Sequence, residues 1–79
     1  MSTSVERFDA SAVAVEVTED VLRVVLADGR ELSAPLDWFP RLRAASPSQR
    51  ADWRLIGGGQ GIHWPQFDED ISVASLMRR

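Results

Sequence analysis

The sequence contains no cysteine, no lysine and no tyrosine, and its 79 residues include a single histidine, His63. Each gap removes a class of chemistry. Without cysteine there is neither a disulfide nor a thiolate metal site, and any ion held by His63 must take carboxylates as its other ligands. Without lysine, a phosphate loop that ends in Lys is excluded. No apolar run is long enough to span a membrane, and Met1 to Ala10, which carries Glu6 and Asp9, lacks the apolar centre of a signal peptide. That stretch reads as a flexible tail, and residues 11–79 as one domain. The formal net charge of −3 excludes a surface that is basic all over and leaves room only for a local basic patch. A chain without cysteine suits a reducing compartment, so the expected location is the cytoplasm.

A domain this small buries only about 60% of its unfolded surface and needs some further source of stability. Three Trp and three Phe supply dense packing. Association would supply more, so a protein partner or a homodimer is expected.

The hydrophobic pattern divides the chain. From Ser11 to Val17, valines recur at every second position (Val13, Val15, Val17), which predicts a strand with one apolar face. After the polar turn Thr18-Glu19-Asp20, a second alternating run places Leu22, Val24 and Leu26 on one face. A third run, Arg30 to Pro35, follows Asp28-Gly29. A two-residue Asp-Gly turn would set Leu26 against Glu31 and Val24 against Ser33, with polar groups on the apolar face. A three-residue loop, Ala27-Asp28-Gly29, with Gly29 left-handed in a bulge, instead pairs Val24 with Leu32 and Leu22 with Ala34, and this register is the expected one.

Beyond Pro35 the period becomes helical. Asp37 is expected to cap a helix starting at Trp38 and ending near Ala45, with Pro40 tolerated in its first turn. Ser46, Pro47 and Gln49 form the pattern of a capping box, opening a second short helix that runs to about Trp53. Arg54-Leu55-Ile56 and Ile62-His63-Trp64 read as the strands of a hairpin turned by the glycines at 57, 58, 59 and 61. Asp68-Glu69-Asp70-Ile71 is an acidic extended segment, and Ser72 can cap a last turn of helix through Met77. The predicted fold is α+β: a small antiparallel sheet, made of an N-terminal three-stranded meander and a Gly-rich C-terminal hairpin, packed with two or three short helices.

Three features invite a chemical reading. The glycine cluster lacks the third glycine of a dinucleotide fingerprint and leads into a strand, so a hairpin turn accounts for it better than a cofactor site, and no cofactor is expected. His63 with Asp68, Glu69 and Asp70 offers an imidazole and carboxylates. On an extended segment Asp68 and Asp70 share a face while Glu69 points away, which describes a solvated acidic edge better than a metal site. Arg41, Arg43, Arg50 and Arg54 cluster around the two helices beside Trp38 and Trp53. Guanidinium and indole groups are common anchors of protein interfaces, although Asp37 and Asp52 lie close enough to neutralise some of these arginines. No nucleophile elbow or triad is evident, and no catalytic residue is expected.

The segments Asp28-Gly29-Arg30, Pro35-Leu36-Asp37-Trp38-Phe39-Pro40-Arg41-Leu42, Arg50 to Ile56, Gly57 to Pro65 and Asp68 to Val73 together resemble a bacterial family of uncharacterised proteins, domain of unknown function 2442. The resemblance runs from about Val13 to Met77. It implies a small α+β domain without an established activity, acting as companion to a small protein encoded alongside, in an arrangement like that of toxin-antitoxin pairs. Some members are fused to a helix-turn-helix domain. The resemblance supplies no catalytic residues, and leaves Trp64-Pro65 and Asp68 to Asp70 as either structural or partner-contacting positions. The expected function is therefore a non-enzymatic, antitoxin-like interaction module, using Trp38, Arg41, Arg43, Arg50, Trp53 and Arg54. The alternative is a nucleic-acid accessory that uses the same arginine patch.

Overall fold

The structure is a computed structural model and describes residues 9–77. Most of the expected tail, residues 1–8, lies outside the described residues. Asp9 and Ala10 are held to the domain: the Asp9 carbonyl accepts a hydrogen bond from the Asp28 amide at 3.2 Å, and Ala10 packs against the core.

The chain forms an α+β fold with two antiparallel three-stranded sheets. The first is the meander β1 (Ala12–Val17), β2 (Val21–Leu26) and β3 (Glu31–Pro35). A 3-10 turn at Leu36–Trp38 leads to helices α1 (Pro40–Ala44) and α2 (Pro47–Ala51). The second sheet holds β4 (Arg54–Ile56), β5 (Gly61–Trp64) and β6 (Glu69–Ser72), and α3 (Val73–Met77) follows it. The acidic segment thus adds a strand to the glycine hairpin, and β5 becomes the centre of a separate sheet. Among the described residues, no helix is long and apolar enough to cross a membrane.

The bulged loop forms as its register requires. Val24 pairs with Leu32 and Leu22 with Ala34, Gly29 has φ +94°, and its amide bonds the Leu26 carbonyl at 3.0 Å. Leu22, Val24 and Leu26 are fully buried, each worth about 1.5–3 kcal/mol relative to exposure.

The strict valine alternation of β1 does not survive. Pairing slips between Ala12 and Ala14, so Val13 is the extra residue of a bulge and stands 52% exposed. Ala12 and Val15 are the residues of β1 that reach the core. The bulge also brings the Ala12 amide to the Gly59 carbonyl at 2.7 Å, tying the first sheet to the glycine turn of the second.

Asp37 does not cap a helix. The residue before a proline is pushed out of the α region, and Phe39, at φ −132° and ψ 80°, is such a residue. The helical stretch therefore breaks into a 3-10 turn and a separate α1 whose first residue is Pro40. The capping box at Ser46 forms in full, with the Gln49 amide donating to Ser46 Oγ and the Ser46 amide donating to Gln49 Oε1. Ser72 Oγ accepts from the Ser75 amide at 3.1 Å, as a cap of α3 should.

One core joins the two sheets. Leu22, Val24 and Leu26 from β2, Leu36 and Leu42 from the helical connection, and Ile62, Trp64 and Ile71 from the second sheet belong to a single buried cluster. Trp64 is fully buried, and its indole N–H donates to the Arg50 carbonyl at 3.0 Å, so its polar atom is satisfied where it is needed. Phe67 stacks beside it at 6.3 Å.

Candidate functional site

The arginines that the sequence groups together are placed in three different settings. Arg50, half-buried, donates to the Arg43 carbonyl at 2.7 Å, the Leu42 carbonyl at 3.2 Å and the Thr18 carbonyl at 3.5 Å. The first two are carbonyls of the last turn of α1, so this guanidinium reinforces the end of a short helix whose Leu42 carbonyl also accepts from the Ala45 amide at 3.2 Å. Arg41 reaches across to the β5–β6 connection, donating to the Phe67 carbonyl at 2.5 Å and the Asp68 carbonyl at 3.4 Å, with Glu69 at 3.8 Å. Both side chains are staples between elements. Arg43 and Arg54 are exposed and pair with their sequence neighbours Asp37 at 3.0 Å and Asp52 at 3.4 Å. Asp52 also accepts from Gln66 at 3.0 Å.

The tryptophans are divided in the same way. Trp38 is 40% exposed and meets Phe39 edge-on at 6.5 Å. Trp53 is partly buried against the core and, with Arg50, borders a hollow of about 190 Å³ beside β1.

The acidic edge is split by its turn. Asp68 adopts φ +55° and lies outside β6, so it does not share a strand face with Asp70, contrary to the expectation for a continuous extended segment. A left-handed residue ends the alternation, and aspartate is among the side chains that tolerate that conformation. Glu69 points to the other face, opposite Trp64. Asp70 stands opposite His63 and their side chains meet, Nδ1 to Oδ1 at 2.5 Å. Among the described residues, no three of His, Asp and Glu gather where an ion could be held.

Register places the rest of that face. Arg54 pairs with His63 and His63 with Asp70, giving one cross-strand row, while Ile56, Gly61 and Ser72 form the next. Ile56 lies over Gly61: a Cβ built on that glycine would sit 3.1 Å from Ile56 Cγ1. Leu55 pairs with Ile62 on the opposite face, which carries the core.

The feature that sequence reading passes over is β4 itself. All of its residues are exposed, with Leu55 at 36% and Ile56 at 43%. It is a terminal strand of its sheet, blunted by its shortness and by Arg54, and the other sheet edges carry further devices. β1 is bulged and held to Gly59, β3 ends in Pro35, and β6 carries two carboxylates and runs directly into α3. β4 has neither bulge nor proline and presents two aliphatic side chains beside one arginine. The signal available in the sequence was the shortness of the Arg54 to Ile56 run. Its position at an edge became visible only when Glu69–Ser72 proved to be the strand on the far side of β5.

Comparison with known proteins gives one match. The family described as protein of unknown function (DUF2442) matches over residues 12–79. No curated protein and no solved structure matches the chain.

Proposed function

Because this chain belongs to DUF2442, a family whose function is not established, its role has to be read from its own surface, and we propose that it is a non-enzymatic protein-interaction module that receives a strand at the β4 edge. The observation that carries this reading is the exposure of every residue of β4, a terminal strand that presents two aliphatic side chains and is blunted only by its shortness and by Arg54. A strand added there gains main-chain hydrogen bonds, and its alternate side chains meet Arg54 and Ile56 on one face and Leu55 on the other. The complementary segment is extended, apolar, and acidic where it faces Arg54.

The arginines support a protein partner over nucleic acid. Arg41 and Arg50 spend their donors on backbone carbonyls, and Arg43 and Arg54 are paired with aspartates, which weakens the field a phosphate backbone would require. The biological setting we propose is the cytoplasm, with an antitoxin-like role beside a small neighbouring gene product. Co-expression of the two proteins followed by size-exclusion chromatography tests the reading. Co-elution of the wild-type pair, lost in Leu55→Asp, is the expected result. Separate elution of the wild-type proteins at micromolar concentration, or co-elution untouched by the substitution, would overturn it.

A further inference from the structure

No further inference is drawn: the strongest candidate, the hollow of about 320 Å³ between residues 9–11 and α3, is lined by the two ends of the described chain, and nothing in the structure shows what would fill it.

Discussion

At the residue scale, Gly59 is the most tightly enclosed of the glycines. It has φ +93°, and a Cβ there would lie 2.7 Å from the Ala12 carbonyl oxygen and 2.9 Å from Ser11 Cβ. A side chain would meet both backbone strain and a clash at the point where the two sheets are joined. Gly59→Ala should cost about 2 kcal/mol or more in urea unfolding, from the positive φ and the displaced contact together. Gly58, at φ +66° with open space around it, should lose less under the same substitution, because only the conformational strain applies. Asp28 gives a prediction in pH. Side-chain hydrogen bonds from Arg30 at 3.1 and 2.9 Å hold its carboxyl below the usual 3.8. A lowered folded pKa means stability present above 3.8 and lost as pH falls through the depressed value. In urea melts, Asp28→Asn should therefore be less stable than wild type near neutrality, and the gap should close on acidification below 3.8.

At the element scale, the short helices depend on contacts from outside themselves. α1 and α2 have five residues each, too few for intrinsic helix stability. Arg50 reinforces the end of α1 through the Leu42 and Arg43 carbonyls, whereas Arg43 makes only an exposed pair with Asp37. Arg50→Met should destabilise the fold by about 2 kcal/mol, the scale of lost charge-assisted hydrogen bonds. Arg43→Met should change stability by less than about 0.5 kcal/mol, and comparable losses for the two in chemical denaturation would contradict this division of roles. These elements also mark how far the sequence could be read. The meander register followed from requiring Leu22, Val24 and Leu26 to keep apolar partners, and the capping box from a local rule that needs no tertiary information. Asp37 misled because the cap pattern ignores what Pro40 does to Phe39. The role of Arg50 was hidden because its acceptors, carbonyls of another helix and of Thr18, leave no side-chain pattern to find.

At the scale of the whole molecule, the core accounts for one face of each sheet, and the arginines and capping residues account for the connections between them. The β4 edge is the strand of these sheets whose residues are all exposed. Its residues were legible as a strand, but edge or centre is a property of the sheet's order, and that order depended on whether the acidic segment paired with β5. Once it did, His63 and Asp70 became a cross-strand pair on the outer face, and Leu55 and Ile56 joined Val13, Trp38 and Met77 among the exposed apolar side chains. The most direct measurement of the central claim is amide hydrogen exchange of the chain, free and in its associated state. The prediction is slowed exchange gained at Arg54–Ile56 on association. Protection gained at Trp38 to Arg43 with none at β4 would contradict it.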